Sequence, residues 1–283
     1  MRPTLLFSTL VVVALLFASP VLRAEDAEAP KPHTDAQLKE HEVFTRFEGK
    51  WKSDDMDDRI QILRWFGMWR HKKVLRELKS IWLKEADYEL RAVAAEGLAR
   101  QTPFLKKSGK VLVDGLSKMI KLASREDPED DELLAQTLEA RAIVAGIKAV
   151  GVLGYRDGWD VLRKYIDHYD DGVAAEMMLT CGRLKEYRAL ALLLEWFNYY
   201  PDGASFAGGS VTVDTGAEGN ADAKAAKAKW KAKYGSRKKK ARPAAWDAMI
   251  ESLRLITGET FAKPEELKAW MKANKQLIRK HGG

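Results

Sequence analysis

The stretch Ile81-Trp82-Leu83-Lys84-Glu85-Ala86-Asp87-Tyr88-Glu89-Leu90-Arg91-Ala92-Val93-Ala94-Ala95-Glu96-Gly97-Leu98-Ala99-Arg100 decides the architecture. It reads as the end of one helix, a tight turn at Asp87, and a second helix. The apolar positions of that second helix, Leu90, Val93 or Ala94, and Leu98, recur at helical spacing. Asp suits the turn because its short carboxylate accepts hydrogen bonds from the N–H groups that open a helix. A helix pair of this kind cannot bury its apolar face alone. It needs a further pair packed on each side.

The rest of the chain supplies such pairs. Upstream, Thr34 and Gln37 have the spacing of a capping box. Leu38, Val43, Phe44 and Phe47 follow as an apolar face, with Gly49 as the expected stop. Ser53-Asp54-Asp55 caps a second helix through Ile60, Leu63 and Phe66, and Val74 to Trp82 forms a third. Downstream of Pro103 the pattern predicts a helix over Leu105–Leu122 and a loop at the acidic run from Glu126 to Glu132. A helix over Leu133–Leu153 then stops at Gly154, and a short helix covers Gly158–Tyr169. Asp170 opens the next pair, Val173–Leu184 and Tyr187–Tyr199.

Two windows align without gaps, Asp87 to Arg100 and Asp170 to Arg183. Asp87 matches Asp170, Leu90 matches Val173, Ala94 matches Met177, Leu98 matches Cys181 and Arg100 matches Arg183. Self-similar helical hairpins without strands predict an all-α chain arranged as an α-solenoid.

With Asp87 at the turn, Leu90-Arg91, and Ala94-Ala95 with Leu98 as a packing ladder, the stretch resembles the HEAT repeat. It is similar in particular to the short bacterial form related to the HEAT-like repeats of phycobilisome lyases. The string Leu255-Ile256-Thr257-Gly258 with Phe261, Trp270 and Asn274 is similar to the tail of other exported bacterial HEAT-repeat proteins. The resemblance implies a right-handed α–α superhelix, a protein-binding surface and no catalytic residue. Val173-Ala174 lacks the repeat's arginine, which breaks the regular Asp–Arg ladder there.

The N-terminus is of another kind. A basic start at Arg2 precedes an apolar run from Leu5 to Ser19, broken by Pro20, and Leu22-Arg23-Ala24 offers a small residue before Glu25. This is the layout of a secretory signal peptide, with cleavage expected after Ala24 and a periplasmic or secreted product. No cysteine follows the apolar run, which argues against lipid acylation, and the single cysteine, Cys181, makes no intrachain disulfide. The expected organisation is a signal peptide over 1–24, a flexible lead-in over 25–33 and a helical array over 34–200. A Gly-rich then Lys-rich linker follows over 201–243, and a C-terminal helix pair over 244–283 closes the array as a cap.

Charge is uneven. The chain carries a formal net charge of +7. Residues 221–242 hold ten Lys or Arg and one Asp, or +9. Lys224, Lys227, Lys229, Lys231, Lys233, Arg237, Lys238, Lys239, Lys240 and Arg242, interleaved with Trp230 and Tyr234, form the candidate polyanion-binding set. Cations neutralise phosphate or sulfate, and rings stack on bases or sugars. The bland alternative is a solvated Lys-rich segment.

Other candidates read better as structure. Asp167-His168-Tyr169-Asp170-Asp171 has metal-binding residue types, but Asp170 aligns with the turn residue Asp87. Ser53 to Asp58 lacks the glycine and distal glutamate of an EF-hand loop. Cys181 occupies the inward slot of Leu98 and reads as a small buried hydrophobe. No catalytic, cofactor or metal set emerges. The expected function is an exported, non-enzymatic scaffold binding another protein along the concave face. The alternative is an adaptor that grips an anionic polymer or membrane surface through residues 224–242.

Overall fold

The computed structural model describes residues 30–119, 130–166, 168, 170–199 and 243–282. Among them are thirteen α-helices and no strand. In chain order these are α1 (Asp35–Glu40), α2 (Val43–Trp51), α3 (Met56–Phe66), α4 (Lys72–Lys84), α5 (Tyr88–Ala99), α6 (Leu105–Met119) and α7 (Asp130–Leu153). Then come α8 (Trp159–Leu162), α9 (Asp171–Arg183), α10 (Leu190–Tyr199), α11 (Pro243–Thr257), α12 (Pro264–Ala273) and α13 (Lys275–Gly282). The leader, Ile120–Leu122, the loop positions 126–129 and the whole of 200–242 lie outside the described residues, as do Asp167 and Tyr169.

The packing order is regular. α3 packs on α5, α5 on α7, α7 on α9 and α9 on α11, while α4 packs on α6 and α6 on α8. Within each hairpin α2 meets α3, α4 meets α5 and α6 meets α7. The expected turn chemistry is in place. Asp87 accepts from the N–H groups of Glu89 and Leu90 at 2.8 and 3.0 Å, and Asp170 accepts from that of Val173 at 2.9 Å. Leu90, Ala94 and Leu98 are fully buried, as are their counterparts Val173, Met177 and Cys181.

Small residues let the odd-numbered helices approach closely. A Cβ added at Gly67 would lie 2.9 Å from the Cα of Gly97, joining α3 to α5. One at Gly151 would lie 3.0 Å from the Thr180 hydroxyl, and one at Gly182 would lie 3.1 Å from the Cα of Ser252. In the even-numbered row the anchor is Trp82. Its indole N–H donates to the carbonyls of Val111 and Leu112 at 3.1 and 3.3 Å. Its ring fits only because α6 and α7 present Gly115 and Gly146 to it.

Several boundaries differ from expectation. Gly49 does not stop α2, which runs on to Trp51 because Trp51 stacks on Phe47, and Phe47 on Phe66 at 4.1 Å. The break falls earlier, at Glu42, whose backbone is left-handed with φ 49°. Asp130, Asp131 and Glu132 belong to α7 rather than to a loop; acidic residues are favoured in a first helical turn. The segment after Gly158 is a single α turn, followed by a 3₁₀ turn over Arg163–Tyr165. The last helix is two, split at Asn274, and Leu277 is exposed. Trp82, Trp159 and Trp196 are core residues, whereas Trp65, Trp69, Trp246 and Trp270 are half-buried.

Candidate functional site

The twelve candidate polyanion-binding residues, Lys224 to Arg242, lie outside the described residues. The other sequence candidates resolve into local structure. Asp170 caps α9, His168 Nδ1 accepts the Asp170 N–H at 3.1 Å, and Asp171 Oδ2 accepts the Ala244 N–H at 3.0 Å, tying the start of α9 to that of α11. Ser53 and Asp55 accept N–H groups at the head of α3, and Asp58 pairs with Lys50 at 2.8 Å. Among the described residues no three His, Cys, Asp or Glu side chains are grouped to hold a metal. Cys181 is fully buried, and burial pushes its thiol up, away from the reactive thiolate.

Two charged clusters are buried, and both are occupied by protein. At the α5–α7 contact the Arg91 side chain lies over the rings of Trp82 and Tyr88 and donates to the Trp82 carbonyl at 3.0 Å. Glu139 of α7 faces it from a buried position with one carboxylate oxygen unbonded. Burial raises the Glu139 carboxyl, and the Arg91 charge opposes that shift. The second cluster centres on Glu186, 1% exposed, which takes Arg188 Nε and Nη2 at 2.8 and 2.7 Å with Arg156 at 3.9 Å. Arg156 also donates to the His281 carbonyl at 3.2 Å, clasping the end of α13. Sequence reading missed both clusters. Arg91 and Glu139 are distant in the chain, and Glu186 and Arg188 are two apart, a spacing that carries no periodic signal.

What faces outward is a stripe across the odd-numbered helices. On α7, Arg141, Lys148 and Val152 are exposed at helical spacing, and the interposed Ala142, Ile143, Ile147 and Val150 are buried. α5 presents Glu96 beside Arg100, α9 presents Arg183, paired with the largely buried Glu176, and α11 presents the paired Glu251 and Arg254. Arg141 and Lys148 are in no salt bridge among the described residues, and Val152 is 61% exposed. An open groove of about 780 Å³ separates α2 from α4, floored by Phe47 and Ile81 and walled by Phe44, Trp51, Arg76 and Lys84.

The Glu186 carboxylate is paired with Arg188, Glu139 keeps one carboxylate oxygen unbonded, and the outward charges are spread over several helices. No protein-family model matches the chain, and no curated protein matches it.

Proposed function

We propose that the protein is an exported, non-enzymatic scaffold built as a HEAT-like α-solenoid, whose odd-numbered helices present a face to a protein partner. One observation carries this reading: from α3 to α11 each odd-numbered helix packs on the next, with small side chains at the α3–α5, α7–α9 and α9–α11 contacts, and exposed residues fall on the side away from the core. A row of helices joined in this way presents a broad, ordered surface without a central cleft. The twin windows at Asp87 and Asp170 support a repeat origin for the row. Export rests on the basic start, apolar run and Ala24 of the leader.

Two experiments test the reading. Small-angle scattering tests the shape: a solenoid gives a radius of gyration well above the roughly 18 Å of a compact domain of this length. Photo-crosslinkers placed at Lys148 and, on the opposite row, at Lys79 test the face. A partner should be captured from Lys148 and lost on charge reversal of Arg141. Equal capture from both rows removes the proposed face.

A second reading rests on the +9 charge of residues 221–242. A polyanion or anionic membrane bound there loses affinity steeply as salt rises. Replacing Lys238, Lys239 and Lys240 with Gln weakens that binding, and affinity unchanged by the replacement removes this reading.

A further inference from the structure

Two of the chain's five histidines pack on one tryptophan, and a third lies beside them. His33 and His41 place their rings 5.0 and 5.1 Å from Trp69, and His71 follows two residues after Trp69. His33 makes a two-point clasp on one backbone unit: its N–H donates to the Arg70 carbonyl at 2.7 Å, and its Nδ1 accepts the Arg70 N–H at 2.8 Å. His71 uses Nδ1 to accept the Lys73 N–H at 3.2 Å, which caps α4. Its Nε2 points to Asp35 at 3.7 Å, and Lys73 reaches the same carboxylate at 2.7 Å. Residues 33–41 are thus held against the α3–α4 turn through one imidazole acceptor, that of His33, through the Asp35 carboxylate, through ring contacts with Trp69 and through the buried Leu38.

An imidazole accepts through a lone pair that protonation removes. A histidinium at position 33 or 71 therefore loses its backbone hydrogen bond. Charge adds to the effect. Lys72 and Lys73 already face His71, and Asp35, the acid that attracts a charged His71, is shared with Lys73. Three imidazolium ions would add to that positive cluster. An imidazolium over Trp69 gains some cation–π attraction, most easily for the exposed His41, but this replaces neither backbone bond. Trp69 favours opening as well, since its buried indole N–H has no acceptor among the described residues while the segment is closed.

We infer that residues 33–41 form an acid-released strap, pinned where the neutral His33 imidazole accepts the Arg70 N–H and detached from the α3–α4 turn when protonation removes that acceptor. Burial lowers the His71 affinity for protons, so the closed form disfavours its charged state. A basic group depressed in the closed state stabilises that state above its free pKa and loses the contribution as pH falls. Acid therefore opens the strap and bares Trp69 at the end of the helix row.

Hydrogen exchange of the full chain at pH 7.5 and 5.0, corrected for intrinsic rates, tests this. Peptides covering residues 35–41 should lose protection at least tenfold at pH 5.0, while peptides from α5 and α9 keep theirs. The triple variant His33→Asn, His41→Asn, His71→Asn keeps side-chain acceptors that do not titrate in this range, and it should lose the pH response. Unchanged protection of residues 35–41 in the wild type overturns the inference, as does an acid response that persists in the triple variant. If that variant does not fold, His33→Asn alone is read, and it should reduce the response by several fold.

Discussion

At the scale of single residues, backbone conformation and void shape decide the outcome. α7 and α9 end in the same way. Gly154 takes φ 69° while the Tyr155 N–H returns to the Val150 carbonyl at 3.2 Å. Lys185 takes φ 47° while the Glu186 N–H returns to the Cys181 carbonyl at 2.9 Å. A side chain is strained in that left-handed region, by about 1–2 kcal/mol. Lys185→Gly should therefore raise stability by up to about 1 kcal/mol after the extra unfolded-state freedom of glycine is counted, as chemical denaturation would report. Gly115 is the opposite case. A Cβ there would lie 2.0 Å from the Trp82 indole nitrogen, so Gly115→Ala must displace the ring from its two carbonyl acceptors. We expect a loss of about 2–3 kcal/mol in the same measurement. Glu139 sets a pH dependence. Its folded carboxyl is raised by burial, so the folded state prefers it protonated, and its charge weakens the fold at neutral pH. That penalty fades as pH falls through the raised value. Glu139→Gln should thus stabilise the protein at pH 7, with the difference from wild type vanishing in acid.

At the scale of elements, the C-terminal helices depend on one buried carboxylate. Glu186 holds Arg188, and Arg156 links that pair to the last turn of α13. Removing one member of a buried ionic cluster strands the others. Arg156 and Arg188 keep partial access to solvent, at 40% and 35%, which moderates the cost. Glu186→Ala should cost about 2–3 kcal/mol, and hydrogen exchange should show α13 losing protection before α9. The helices themselves were legible because each carries its own start and stop: the Thr34–Gln37 box, Asp55, Asp87 and Asp170 as caps, and Gly154 and Gly258 as left-handed ends. Failures came where a residue without such a signature did the work. Glu42 and Lys185 occupy left-handed positions that usually attract glycine, and Gly49 sits within a helix that its aromatic neighbours hold together. The polar contacts were illegible for a different reason. The juxtaposition of Arg91 with Glu139 arises from packing of α5 on α7 and the His33–Arg70 bonds from a lead-in docking on the α3–α4 turn, and no local period encodes which side chains such packing will bring together. The strongest charge signal, Lys224 to Arg242, falls where the structure describes nothing.

At the scale of the whole molecule, the packing order has a mechanical consequence. α3 reaches α9 only through α5 and α7 among the substantial helix contacts, and the proposed solenoid therefore predicts stability divided among successive junctions rather than shared evenly along the chain. The α7–α9 junction is the most informative to perturb. Gly151 faces the Thr180 side chain there, and the Thr180 hydroxyl donates to the Ile147 carbonyl at 3.3 Å. In the other row, the Tyr165 hydroxyl donates to the Leu116 carbonyl and braces the turn after α8 against α6. Gly151→Leu forces α7 and α9 apart at their closest approach while leaving the brace at Tyr165 intact, at a cost of about 2–3 kcal/mol. If stability is local to each junction, protection in α9, α10 and α11 should fall sharply while α3 and α5 exchange as in the wild type. Denaturation should then broaden or split into two transitions. If the helices shared one cooperative core, the same substitution would lower protection evenly from α3 to α11 and move a single sharp transition. Peptide-resolved exchange on the variant separates the two outcomes, because every junction is read in one experiment.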